Sequence, residues 1–495
     1  MDALVTAFGM VFNLQTIAVM LGASLFGLFV GAVPGLTATM ATALLVPVTF
    51  FMPPITAIAA IVTATAMAIF SGDVPGCLLR MPGTPASAAY TDEAYAMTRK
   101  GQAELALGAG LVFSAIGGLF GTVVLILSAP ALADFALRFS SFEYFWLVLL
   151  GLSCAIVITA ERPLKGIVSL LLGLLVAAVG LDNPAGFPRF TFGSTELMGG
   201  IGLIPMMIGM FAVSEILRYA VETGPKFVID GKPLGNVLAG IWALLKKYPR
   251  QVLRGSVLGT LVGALPGAGA DIAAWMSYGI SKKLSKEPEK FGTGHVEGIV
   301  ESGAANNSAL AGAWIPALVF GIPGDSITAI VIGVLILKGM EPGPAIFLKT
   351  PDLIYALFIV FILANLFMVP LGWAVIRLSR HILTVPRGAV AAFILVTCII
   401  GAYAINNSLF DVGVMLAMGF LGWFMEENDI PVAPTILGLV LGRMVEFNFI
   451  QTMIKGEGDL TMLVSRPIAA VLAVVTLLVW AMTLRGAIRS RPAHA

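Results

Sequence analysis

From residue 3 to residue 72 the chain carries no Asp, Glu, Lys or Arg, whereas about 20 apolar residues already cross the hydrocarbon core of a bilayer. This run must enter or cross a membrane more than once. Further charge-free or nearly charge-free stretches follow at 105–133, 144–160, 166–181, 197–214, 255–270, 302–324, 353–376, 388–410, 412–425, 430–442 and 467–484. The pattern predicts an all-α polytopic membrane protein with about a dozen membrane segments, some too short to span unaided.

Composition points the same way. Of 495 residues, 58% are hydrophobic and 12% charged, with mean hydropathy +0.96; a soluble domain carries about 25% charged residues. The net charge of +1 argues against a nucleic-acid partner, and the basic clusters flank membrane segments, where they set orientation against the lipid. Cys77, Cys154 and Cys398 lie far apart in apolar surroundings and form no metal-ligand spacing, so they read as packing residues and no metal is expected. The N-terminus, MDALVTAFGMVFNLQ, has no Lys or Arg before an apolar stretch that outruns any cleavage site. Insertion without cleavage is expected.

Two of the apolar stretches are broken in the same way: VGAVPGLTATMATA at 30–43 and VGALPGAGADIAAW at 262–275. A second pair, LLRMPGTPASAAY at 78–90 and VFGIPGDSITAI at 319–330, keeps the order, so Pro34 and Pro82 recur as Pro266 and Pro323. Copies roughly 240 residues apart indicate one duplicated unit. A weaker match sets GMFAVSEILR (209–218) beside LGRMVEFNF (441–449) and Glu215 opposite Glu446. The predicted organisation is a first transmembrane repeat over 1–221, a cytoplasmic connection over 222–254, a second repeat over 255–450, and a C-terminal transmembrane helix with a basic tail over 451–495. The second copy is flanked by Lys246, Lys247, Arg250 and Arg254 on one side and SKKLSKEPEK on the other, while nothing before Arg80 is positive. Because Lys and Arg beside short membrane segments stay in the cytoplasm, the two copies are expected to have inverted topology rather than a parallel one. The same rule places the basic C-terminus in the cytoplasm.

In hydrocarbon each unsatisfied backbone group costs several kcal/mol, so a Pro-Gly break survives only where protein, water or a ligand takes up the freed groups. Pro deletes an N–H and Gly admits conformations closed to other residues. The half-helix that follows presents free N–H groups suited to a carboxylate, and carbonyls before the break can coordinate Na⁺. Broken helices or re-entrant hairpins are thus predicted at all four motifs, with candidate substrate contacts at Pro34, Gly35, Thr37 and Thr39; at Arg80, Pro82, Gly83, Thr84 and Ser87; at Pro266, Gly267, Gly269 and Asp271; and at Pro323, Gly324 and Ser326. A single Pro-Gly pair is as readily a kink or packing point; four in two matched sets favour a site.

Individual side chains divide between roles. Asp271 and Asp325 each follow a break, as a helix cap, a cation ligand or a proton carrier. Asn306 and Asn307, in AANNSALAG, offer donors to a carboxylate and acceptors to Na⁺. Asp271, Asn306 and Asp325 are therefore the ion-coupling candidates. Arg80 either binds a carboxylate or reaches the interface or Asp73. Glu215 with Arg218 and Glu446 with Arg443 read as helix-end ion pairs. His295 in GTGHVEG reads as a solvated loop residue.

Over nearly its whole length the chain resembles the large membrane subunit of the tripartite tricarboxylate transporters, the TctA family. The motifs carrying the resemblance are GAVPGLTATM, MPGTPASAAYTDEAYAMTRKG, GALPGAGADIAAWMSYG, AANNSALAGAWIP, FGIPGDSITAIVIGVLILKGMEPGP and GAYAINNSLFDV. It implies a multi-pass permease of the bacterial inner membrane, energised by an ion gradient, which receives a carboxylate from a periplasmic solute-binding protein (TctC-like) and works with a small membrane subunit (TctB-like). Arg80 stands where the family usually has Asn, Tyr90 replaces Thr, EAYAM replaces DGYPM, and Gly303 takes the place of an acidic residue, with Glu301 displaced by two. Citrate is therefore not inherited as the substrate.

The function expected is import of a small carboxylate (a tricarboxylate, dicarboxylate or related organic acid) by symport with Na⁺ or H⁺, without a cofactor. A passive anion channel is the alternative. An enzyme would need a nucleophile–base pair or a metal cluster, and three His and three Cys supply neither spacing. No GxxxxGK[ST] loop is present to drive transport with ATP.

Overall fold

The computed structural model describes residues 2–158, 163–181, 186–221, 235–383 and 387–489. Residues 222–234 of the predicted connection and the end of the basic tail lie outside them. Apart from one isolated antiparallel bridge between Gly180 and Arg189, every regular element described is helical.

The first half runs through α1 (Asp2–Val11), α2 (Leu14–Ala32), α3 (Ala38–Thr49), α4 (Pro54–Ser71), α5 (Asp73–Leu79), a short turn over Ser87–Tyr90, α6 (Thr91–Arg99), α7 (Ala103–Ala136), α8 (Ser141–Ile158), α9 (Pro163–Ala177), α10 (Leu203–Ile208) and α11 (Ser214–Val221). The second continues with α12 (Ile241–Lys247), α13 (Pro249–Gly263), α14 (Gly269–Leu284), α15 (Val296–Phe320), α16 (Ser326–Leu337), α17 (Ile346–Lys349), α18 (Pro351–Leu383), α19 (Arg387–Asn406), α20 (Leu409–Glu427), α21 (Ala433–Lys455) and α22 (Pro467–Arg489). Local chemistry fixes the starts. Asn13 caps α2 by accepting from the Thr16 N–H at 2.8 Å, Thr37 caps α3 from Met40 at 3.2 Å, and Pro54 opens α4 where no backbone donor is needed.

Six helices among the described residues are long and apolar enough to cross a membrane: Leu14–Ala32, Pro54–Leu79, Ala103–Ala136, Pro351–Ser379, Leu409–Glu427 and Ala433–Lys455. The helices after the breaks are shorter, 12 residues for α3 and for α16 and 16 for α14, which is why the charge-free stretches outnumber the full-length spans.

The chain divides into two compact units, Met1–Ala131 with Arg218–Gly401, and Leu132–Leu217 with Ala402–Ala495. Each unit draws on both halves of the sequence. In the first, α2 packs on α4 and α13 on α15 along seams of small residues. A Cβ on Gly27 would lie 2.1 Å from the Ala64 carbonyl oxygen, and one on Gly259 2.2 Å from that of Ala305. Backbone thus meets backbone, the geometry by which helices associate where no aqueous hydrophobic force acts between them. The α4 span is wholly buried within the protein, and so is α15 from Glu297 to Val319. α7 crosses α15 at Gly117, against the Ala304 carbonyl.

In the second unit α21 packs on α8 and α9, and α22 on α8. Trp146 Nε1 donates to the Leu463 carbonyl at 2.8 Å, and Arg466 meets the buried Glu143 at 2.9 Å. Glu446, expected to pair along its own helix with Arg443, takes a two-pronged contact from Arg189 at 2.7 and 2.8 Å. The planar guanidinium matches both carboxylate oxygens at once, which a neighbour on the same helix rarely achieves.

Candidate functional site

All four Pro-Gly motifs break helices. Gly35 and Gly267, the second residues of their motifs, have φ 90° and 82°, and Gly269 has φ 61°; only glycine adopts such angles without strain. At the other two motifs the requirement is proximity. A Cβ on Gly83 would lie 2.7 Å from the Gly31 carbonyl oxygen, and one on Gly324 2.8 Å from that of Gly263. The same relation joins first break to second and third to fourth.

The starts of the following elements also match. Thr84 and Ser87 bond reciprocally, each side-chain oxygen accepting the other's backbone N–H at 3.1 Å. Asp325 and Thr328 repeat this, Asp325 Oδ1 accepting the Thr328 N–H at 2.7 Å and Thr328 Oγ1 accepting the Asp325 N–H at 2.9 Å. Asp325 therefore caps α16 in a capping box, and Thr84 Oγ1 takes the first N–H of the turn at 87–90.

The breaks also meet across the two halves. Trp275 Nε1 of α14 donates to the Pro85 carbonyl at 3.2 Å. Gly269 lies against Asp325, whose Cβ would be 2.8 Å from an added Cβ. α16 packs on α3 and α4. Second break thus touches third, third touches fourth, and the helix after the fourth touches the helix after the first. Pro82, Pro85, Asp271 and Trp275 are exposed, while Gly35, Thr37, Thr39, Pro266, Gly267, Asp325 and Ser326 are half-buried; Pro34 and Pro323 are buried.

The remaining candidates make other contacts. Arg80 turns to Asp92, with Nε 2.9 Å from Oδ1 and both side chains largely exposed; the suggested partner Asp73 is not the one used. Arg80 lines a separate polar hollow of about 400 Å³ with Tyr95, Arg99 and Lys100. Asn306 and Asn307 are buried in the middle of α15. Asn306 Nδ2 donates to Tyr90 Oη at 3.3 Å and Asn307 Nδ2 to Met368 Sδ at 3.5 Å, while neither Oδ1 has a partner among the described residues.

Three residues were not among the candidate site residues. Tyr90 Oη donates to Asp73 Oδ1 at 2.7 Å, and Asp73, the first charge after the long apolar run, lies inside a spanning segment; an ionisable residue in that position was the available signal. Glu93 is fully buried and accepts from Tyr278 Oη at 2.8 Å, from the N–H groups of Gly294 and His295 at 2.7 Å, and from Gly292. No spacing announces that hub. It also draws His295 inside, where Nε2 lies 3.1 Å from Glu297 Oε2, so the solvated reading of this histidine is corrected. Glu301 pairs with Arg254 of α13. Among the described residues no three His, Cys, Asp or Glu side chains gather as a metal site.

Comparison with known proteins adds a second line of observation. Residues 17–437 match the family profile described as "Tripartite tricarboxylate transporter TctA family". The chain is 36% identical over 470 residues, 94% of its length and 93% of the relative's, to a 52.8 kDa protein in the TAR-I ttuC' 3'region of Agrobacterium vitis. It is 37% identical over 233 residues, 47% of its length and 96% of the relative's, to a protein in the TAR-II ttuC' 3'region of the same organism. No solved structure matches.

Proposed function

Since the chain belongs to the tripartite tricarboxylate transporter TctA family, a family of membrane permeases and not of enzymes, we propose that it imports a small carboxylate by symport with Na⁺ or H⁺ at the site where its four helix breaks meet. The observation that carries this reading is the linkage of the breaks through Gly31 and Gly83, Pro85 and Trp275, and Gly269 and Asp325. Half-helix N-termini collected at one accessible surface suit an anionic solute. Asp271 lies two residues beyond Gly269, which packs against Asp325, and two carboxylates gathered here raise the demand for a cation when that solute arrives.

The recurrence of glycine contacts and capping pairs in both copies supports a duplicated unit, and the basic residues around α13 and α14, absent around α2 and α3, support inverted orientations. A bacterial inner-membrane location, a periplasmic solute-binding protein and a small membrane subunit follow from the family as parts of the same proposal.

The test is uptake into proteoliposomes holding the chain with its small membrane subunit, with the cognate binding protein and labelled carboxylate outside. Accumulation above the external concentration, driven by a Na⁺ or H⁺ gradient, is expected. Equilibration without accumulation would make the protein a channel and overturn symport.

A further inference from the structure

Asp73 is 6% exposed and lies in the span Pro54–Leu79. Its Oδ1 accepts from Tyr90, while Oδ2 has no hydrogen-bond partner and faces α7, where a Cβ on Gly110 would lie 2.8 Å away. Among the described residues no Lys or Arg pairs with it. The surroundings offer little compensation. α2 and α4 contain no charged residue. On α6, Asp92 is held by Arg80 and Glu93 by the loop before α15. On α7, Glu104 accepts from the Gly235 N–H. α18 carries its charges towards its two ends. Among the described residues the titratable groups beside the carboxyl are Tyr90 and, on its own helix, Cys77.

The fold does not demand an acid here. The register that sets Pro75 against Pro316 and Pro82 against Pro323 sets Asp73 against Trp314, a fully buried ring packed edge-on to Phe361 at 5.2 Å. One copy fills the position with an apolar side chain; the other places a carboxylate there at a desolvation cost of several kcal/mol unless a cation neutralises it. Tyr90 then links that carboxylate to Asn306, whose Oδ1 is likewise buried without a partner.

We propose that Asp73 is the carboxylate that takes up the coupling cation, with Tyr90 and Asn306 linking it to the central helix of the second copy. A monovalent cation is the ligand chemistry, whether a proton or Na⁺, and the inference rests on the symport reading above.

The experiment measures the thermal midpoint of the purified protein against Na⁺ at fixed pH and against pH without Na⁺, alongside gradient-driven uptake in the reconstituted complex. Wild type should respond to one cation with saturation, and that arm identifies it. Asp73→Asn should fold, lose the response and lose gradient-driven accumulation tenfold or more. Tyr90→Phe, which keeps the carboxylate, should displace half-saturation about tenfold, the worth of one hydrogen bond to a charged group. A wild-type cation response in Asp73→Asn, or an unchanged half-saturation in Tyr90→Phe, overturns the assignment even where uptake is lost for structural reasons. If wild type shows no gradient-driven accumulation at all, it is the symport reading that fails.

Discussion

Arg80 and Gly321 hold the same left-handed position in the two copies, at φ 59° and φ 67°. Each ends the helix before a Pro-Gly break, and each is fastened by the same two backbone bonds: Arg80 to Gly76 and Met81 to Pro75 in one, Gly321 to Ala317 and Ile322 to Pro316 in the other. A side chain in this conformation costs about 1–2 kcal/mol, a cost glycine escapes.

Arg80→Gly should therefore leave the thermal midpoint at or above that of wild type, because the strain relieved matches or exceeds an exposed ion pair worth about 0–1 kcal/mol. Gly321→Val should lower stability by about 2 kcal/mol or more, since it adds a β-branched side chain to the same turn. Paired thermal melts in detergent check both, and a clear destabilisation by Arg80→Gly would contradict the account.

Replacement of Gly83 or Gly324 by Val puts side-chain atoms where the Gly31 or Gly263 carbonyl sits. Gly35→Val and Gly267→Val impose strain at positive φ. Uptake should fall more than tenfold in each variant while membrane insertion persists. Wild-type uptake by all four would remove the breaks from the transport site.

The breaks were legible in the sequence because Pro and Gly act through the backbone, and the copies could be aligned by eye. Capping at Thr37 and Asp325 was also within reach, since a cap needs only residues three apart. The meeting of Trp275 with Pro85 was not, because it depends on how two distant hairpins pack. For the same reason no spacing pointed to Glu93, yet it accepts three backbone hydrogen bonds from residues 292–295 and a fourth from Tyr278 of α14. For Arg80 the sequence leaves open a carboxylate, the interface and Asp73; its actual partner, Asp92, lies across the second break and was not legible from spacing.

Arg254 and the fully buried Glu301 join α13 to α15. Glu301→Ala should destabilise the protein by about 3–5 kcal/mol, leaving the guanidinium unpaired, while a double exchange to apolar residues of similar volume should recover most of that loss. Chemical or thermal denaturation of the two variants checks the sign. Equal losses in both would mean that packing, and not charge, holds the contact.

Glu93→Gln keeps the shape of the side chain but presents an amide N–H₂ to backbone donors. It should cost about 3 kcal/mol, because bonds to a charged acceptor contribute about 1.5–3 kcal/mol each, and protease cleavage between residues 285 and 295 should rise. Tyr278→Phe, which removes one donor and leaves the carboxylate with its backbone bonds, should cost about 1.5 kcal/mol, the low end of that range. Unaltered proteolysis in Glu93→Gln would show that the loop is held by other means.

The glycine seams limit how this molecule can change shape. With Gly27 and Gly31 fitted over the carbonyls of Ala64 and Ala68, and Gly259 and Gly263 over those of Ala305 and Ala309, the paired helices mesh like cog and rack. Sliding either by a turn would drive a larger side chain into a neighbour's peptide group. Each toothed pair must then travel as a single piece, and whatever hinges the cycle uses have to lie where the helices do not interlock.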